Sequence, residues 1–163
     1  RKYRIDNSLI TADDLSLKIT GPLYRHLAPG DVKITRIALR EILVNAIEHG
    51  NLNITFEEKS AALMKDSYFN LLNSRRNDPR YREKKVSIEY LLEPGRVVYC
   101  VRDQGNGFDH SRIPEADAQS PAADMPRLHG RGISIARQVF DLVRYNKPGN
   151  EVLLVKYFDD KTD

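Results

Sequence analysis

A single cysteine, Cys100, stands in the 163-residue chain. That excludes an internal disulfide, and a free thiol in the apolar stretch VVYCV behaves as a small hydrophobe. The pattern fits a reducing, cytoplasmic setting. No apolar run reaches the ~20 residues that a membrane-spanning helix needs, and no signal-peptide pattern opens the chain. A membrane partner is not expected. Net charge is scarce too: 26 Lys and Arg stand against 23 Asp and Glu, a formal +3. Bulk electrostatics therefore lend little to direct nucleic-acid binding. The densest basic stretch, RRNDPRYREKK (75–85), is interrupted by Asp78 and Glu83 and reads as a solvated loop before a binding patch. Internal repeats and low-complexity tracts are missing. So are G-x-G-x-x-G and G-K-S/T, which removes the Rossmann and P-loop phosphate sites.

What remains is ordinary globular composition, with 40% hydrophobic residues and charges of both signs interspersed. One domain over residues 1–163 with its own core is expected. Because the chain opens at Arg1, excision from a longer protein with upstream domains is also expected. Residues 3–9 alternate weakly, as a short strand does. TADDL (11–15) reads as a helix start with Thr11 as cap, followed by a possible break at Gly21-Pro22. A second helix, capped by Asp31, should run to about Glu48 and stop at His49-Gly50-Asn51. Residues 55–74 look helical and form the core of a longer insert, 52–85. The period then changes to two: Val86 to Leu92 and Val97 to Val101 flank a Pro94-Gly95 turn as a hairpin. A long loop, 104–129, leads to a short helix at 130–143 and a closing hairpin. With βαβ repetition absent, the order predicts an α+β two-layer sandwich: a mixed, mostly antiparallel sheet with helices on one face.

Three sequence pieces carry chemistry. In LREILVNAIEHGN, Glu41 and Asn45 share one face of a helix, and His49 continues the row. An unpaired buried carboxylate is costly, so the pair must be solvated, hydrogen-bonded or facing a charged ligand. In RDQGNGFD, Asp103 shares the parity of Val97, Tyr99 and Val101 and should point to the core side of the sheet. Gly105 and Gly107 follow and permit close approach. In HGRGIS, Gly130 and Gly132 open a helix whose free N–H groups can hold an anion, with Arg131 adding charge. Each piece alone also has an ordinary explanation: a surface Glu with a structural Asn, a plain turn, a loop ending at a helix. The segment 104–129 between the last two pieces would serve as a lid over a nucleotide.

In this order, EILVNAIEHGN, DQGNGFD and GRG resemble the N, G1 and G2 boxes of the GHKL ATPase superfamily, which includes gyrase and the histidine kinases. The NAIEHG form is most similar to the bacterial anti-sigma-factor serine kinases. The resemblance implies a Bergerat-type fold with ATP and Mg²⁺ as cofactors. It implies that Asn45 offers an oxygen to Mg²⁺ and that Glu41 orients or deprotonates the attacking hydroxyl. Asp103 would accept the exocyclic amine of adenine. Gly105 and Gly107 would let the lid approach the nucleotide, and Gly130, Arg131 and Gly132 would hold phosphate oxygens, with His49 beside them. The family usually has Gly-Thr before the last strand; here GNEV stands instead, so Asn150 or Glu151 occupies that place, and Asn150 can still offer a hydrogen bond there. Implied partners are an anti-sigma-factor antagonist and a sigma factor, with a possible homodimer. A rival expectation is a non-catalytic nucleotide-binding module that controls a protein contact. A degenerate domain without nucleotide is a third.

Overall fold

A computed structural model describes residues 1–109 and 131–158. The first strand, β1 (Lys2–Ile5), leads into helix α1 (Leu9–Thr20). Ser8 caps α1, its Oγ accepting from the Thr11 N–H at 3.5 Å. The cap thus lies three residues before the expected Thr11. At Gly21-Pro22 the helix tightens into a 3₁₀ turn, Gly21–Arg25. Helix α2 (Pro29–Asn45) starts with Pro at its first position and Asp31 in its first turn. Proline supplies the helical φ and has no N–H to satisfy there, so Asp31 is not needed as cap.

The expected single helix over 55–74 is two helices, α3 (Phe56–Met64) and α4 (Tyr68–Asn77). They break at Asp66, which takes a left-handed φ of 52°. Helix α3 has a full capping box: the Glu58 N–H donates to Thr55 Oγ1 and the Thr55 N–H donates to Glu58 Oε2. The basic run after it is only partly a solvated loop. Arg75 lies in α4 and donates to the Leu52 and Asn53 carbonyls at 3.0 and 2.7 Å. Strands β2 (Val86–Glu93) and β3 (Arg96–Arg102) form the expected hairpin, α5 (Arg131–Val139) the late helix, and β4 (Leu142–Tyr145) with β5 (Glu151–Tyr157) the closing hairpin.

The sheet runs β1-β2-β3-β5-β4, and every described neighbour pair is antiparallel. Along β3, Val97, Tyr99 and Val101 are buried, and they face Ile19, Leu39, Leu43 and Ile47 in one core. The period of two on the strand and of 3.6 on the helix therefore meet at a single interface. Tyr99 Oη crosses it, donating to Ile19 O at 3.3 Å. This is the expected α+β sandwich. Among the described residues no helix is long and apolar enough to cross a membrane.

Candidate functional site

The helical run that begins with α2 ends at Asn51, within the expected His49-Gly50-Asn51 stop. After Asn45 it widens into a π-helical turn, Ala46–Asn51, a local form found mostly at functional sites. The turn brings Gly50 against the end of β3. A Cβ placed on Gly50 would lie 2.4 Å from Asp103 Cγ, and one on Gly105 would lie 2.3 Å from Gly50 O. Only two glycines allow the turn and the strand end to meet so closely. The Asp103 N–H donates to Asn150 O at 3.0 Å, and the Gly105 N–H donates to Asp103 Oδ1 at 2.7 Å. Burial pushes the Asp103 carboxyl up to about 6, against the opposing pull of the Gly105 N–H and Lys84. A strand-end carboxylate short of solvent is suited to accept from a ligand donor.

At the other end, Gly132 sits in the first turn of α5. A Cβ there would be 2.9 Å from Asn45 Nδ2, 3.0 Å from Glu41 Cβ and 3.5 Å from Glu41 Oε2. The expected pair and the expected helix start are thus side by side. Glu41 Oε1 accepts from Arg40 Nη1 at 3.2 Å, and Arg40 Nε is paired with Asp13 on α1. The Glu41 side chain keeps 32% of its exposure, so it is not the buried carboxylate of this helix. That is Glu48, at 0%. Lys59 Nζ meets Glu48 Oε2 at 2.5 Å and Tyr68 Oη donates to Oε1. Two cationic or hydroxyl donors from α3 and α4 make its burial tolerable.

Asn45, His49, Asp103, Gly107 and Asn150 line one cleft. The His49 Nδ1–H donates to Ile54 O at 2.5 Å, and its ring stacks on Phe56 with centroids 4.0 Å apart. Burial lowers its pKa, which keeps the ring neutral at pH 7. Asn150 Nδ2 donates to Gly105 O at 3.3 Å and its Oδ1 accepts from Asn146 Nδ2 at 2.9 Å. The residue standing where the family has Gly-Thr therefore straps the β4–β5 turn to the loop after β3. Gly107 (φ +77°) and Gly149 (φ +84°) interlock the same two segments: added Cβ atoms would lie 1.9 Å from Pro148 O and 2.2 Å from Phe108 O. For Gly105 and Gly107, protein backbone already accounts for the missing side chains that the resemblance assigns to a nucleotide. Gly130 lies outside the described residues, as does the lid segment beyond residue 109. Arg131 is described only as the first residue of α5.

Sequence reasoning missed Asn51, which is fully buried. Its Oδ1 accepts from the Gln104 N–H at 2.8 Å and its Nδ2 donates to Asn7 Oδ1 at 2.9 Å. It pins the first residue after Asp103 to the helix layer. In sequence it is the Asn of a helix-stop signal, and nothing in that signal points to a partner 53 positions on. Phe56 and Tyr145, also cleft-lining, lie outside the three pieces, and Phe108 lies within DQGNGFD without a role read from it.

The model of the histidine kinase-like ATPase domain family matches residues 73–156, more than half of the chain. The chain belongs to that family. It is a GHKL-type domain, and ATP binding comes with the family. The matched span holds Asp103, Gly105, Gly107, Gly132 and Asn150 but stops short of Glu41 and Asn45, which join this family region through their contact with Gly132. Among solved structures, the mycobacterial sensor histidine kinase MprB is similar at 16% identity and a TM-score of 0.45, over 97% of this chain and 98% of that one. No curated protein matches the sequence.

Proposed function

We propose that this histidine kinase-like ATPase domain is a cytoplasmic protein serine/threonine kinase of the anti-sigma-factor type. It transfers phosphate from ATP to a small anti-sigma-factor antagonist and regulates a sigma factor by exchanging partners. The observation that carries this reading is the contact of Gly132 with both Glu41 and Asn45. It sets a carboxylate and a carboxamide beside a glycine-opened helix start, at the far end of α2 and its π turn from the Asp103 carboxylate. Phosphoryl transfer needs positioning and charge neutralisation more than covalent chemistry.

In this reading Asp103 takes the adenine amine, and Arg131 and Gly132 at the start of α5 face phosphate, the role the resemblance also gives Gly130. Glu41 accepts the proton of the substrate hydroxyl as its oxygen bonds to the γ-phosphorus. The bond from that phosphorus to the β–γ bridging oxygen breaks and ADP leaves. Asn45 is suited to hold Mg²⁺: it lines the cleft, its amide lies against the glycine cradle, and it offers a neutral oxygen to an ion that otherwise keeps waters and phosphates. When bound, that ion supplies charge neutralisation on the phosphates. The chain is read as one domain over 1–163, and a homodimer is compatible with it.

The test is a phosphorylation assay with Mg·ATP and a purified antagonist, read by mass. Glu41→Gln should slow transfer by about 10²-fold or more, in the range of a lost general base, while ATP affinity stays within about twofold. Transfer as fast as wild type would remove Glu41 from the base role. A second reading, a nucleotide-binding module without transfer, is favoured by one feature: Glu41 is already paired with Arg40 at 3.2 Å. Partner exchange driven by nucleotide alone, with no mass change on the antagonist, would select it.

A further inference from the structure

The insert between α2 and β2 reaches the cleft through Phe56 and is tied to the π turn and to itself by several further contacts. Phe56, the first residue of α3, lines the cleft with His49 stacked on it at 4.0 Å and 30° between ring planes. Eleven residues after the buried Glu48, Lys59 of the same helix closes an ion pair with it, and Tyr68 of α4 adds a hydroxyl donor. Arg75, at the far end of α4, ties back to Glu58 and to the Leu52 and Asn53 carbonyls. The capping box at Thr55 and Glu58 fixes the start of α3. Phe56 is therefore held rigidly, one residue beyond its cap, by contacts that do not involve a ligand. From the sheet side, Phe108 and Tyr145 line the same cleft, edge to face at 5.1 Å.

An aromatic ring lining the cleft that also holds Asp103 is suited to a flat apolar ligand face, while Asp103 reads a polar edge. We infer that Phe56, backed by His49, is a base-binding residue: the insert supplies an aromatic wall against which the base of a purine nucleotide packs. The inference rests on the nucleotide reading of the cleft, and it assigns the insert a part in recognition instead of packing alone. Because contact is with the π face or edge and not with hydrogen-bonding groups, Phe56 should raise affinity for adenine and guanine nucleotides alike. Discrimination stays with Asp103.

The chain has no tryptophan, so Phe56→Trp introduces a lone indole reporter. Its emission should shift or quench on saturation with Mg·ATP, with affinity within about threefold of wild type. Phe56→Ala should weaken Mg·ATP binding by roughly tenfold or more, as loss of an aromatic platform does, and weaken adenosine by the same factor. Inorganic triphosphate should bind as before. Phe56→Leu keeps apolar volume at the α3 start and guards against misfolding; it too should lose affinity. Wild-type ATP affinity in Phe56→Leu together with an indole signal unmoved by ATP would overturn the inference while leaving the nucleotide reading intact. A wild-type protein that binds no ATP would end both.

Discussion

At the Asp103 end of the cleft, the glycines meet mostly backbone. Gly105 lies against the Gly50 carbonyl, Gly107 against Pro148 O and Gly149 against Phe108 O, while Gly50 lies against the Asp103 carboxylate, with added Cβ atoms meeting neighbours at 1.9 to 2.4 Å. At the Glu41 end, a glycine meets side chains: a Cβ added to Gly132 would lie 2.9 to 3.5 Å from atoms of Asn45 and Glu41. The first end is completed by the fold before any ligand arrives. The second brings together groups that can still turn. A base-recognition site gains from rigidity, since an acceptor that cannot move rejects the wrong edge. A site where a phosphate must be passed on needs side chains that can reorient.

The largest expected effect tests the rigid end. Gly105→Ala drives a Cβ into the Gly50 carbonyl, which cannot yield without moving the π turn. Unfolding should become easier by about 3 kcal/mol, at the upper range for overpacking, as read by chemical denaturation. A loss under about 1 kcal/mol would show that the two ends do not differ as claimed. Next, Asp103→Asn should weaken ATP by roughly tenfold to thirtyfold, the loss expected when a buried acceptor gains a mismatched donor. It should also relax the preference over GTP. An unchanged ATP to GTP ratio in competition titrations would remove Asp103 from base recognition.

A pH series sharpens the same end. The Asp103 carboxyl titrates near 6, above its ordinary 3.8. A pKa raised in this way means that the unliganded fold favours the neutral carboxyl. That contribution is full below about 4 and is lost as pH rises through 6. If Asp103 accepts from the base as proposed, ATP binding needs the charged carboxylate, so affinity should fall as pH drops, by up to about tenfold between pH 7 and 5. Binding in that interval should take up fewer protons than it releases, which calorimetry in buffers of different ionisation enthalpy measures. A flat profile would detach the carboxylate from the ligand. The smallest expected effect is at the other end. Gly132→Ala adds a methyl against the movable Asn45 amide, while alanine is the better helix former by roughly 0.5–1 kcal/mol. Stability should change by less than about 1 kcal/mol, yet phosphate transfer should drop as Asn45 is displaced.

Legibility followed the range of the cause. The β2–β3 hairpin could be read from Val86, Ile88, Val97 and Tyr99 because alternation is a property of neighbours. The break of the long helical segment into α3 and α4 could not, because Asp66 at φ 52° carries no glycine to announce it. Asp103 was legible by parity with Val101. Its partner Gly50 was not, since a helix-stop glycine and a close-approach glycine look alike in one dimension. In LREILVNAIEHGN the apolar pattern points to Glu41 as the carboxylate in need of a partner, whereas Glu48 is the one without exposure. The widened turn after Asn45 rotates the following residues inward, and only α3 and α4 supply the donors that Glu48 needs.

The amino-acid order by itself determined the α+β layering, the two hairpins and the identity of the polar residues at the ends of α2 and β3, because each depends on periodicity or on a few adjacent residues. Only the tertiary structure decided that Gly132 stands beside Glu41 and Asn45, that Asp103 meets Gly50, and that the insert lends Phe56 to the cleft. Those juxtapositions link positions far apart along the chain. The physical reason is that packing of helix layer on sheet, and not local preference, sets which distant side chains come within ångströms of each other.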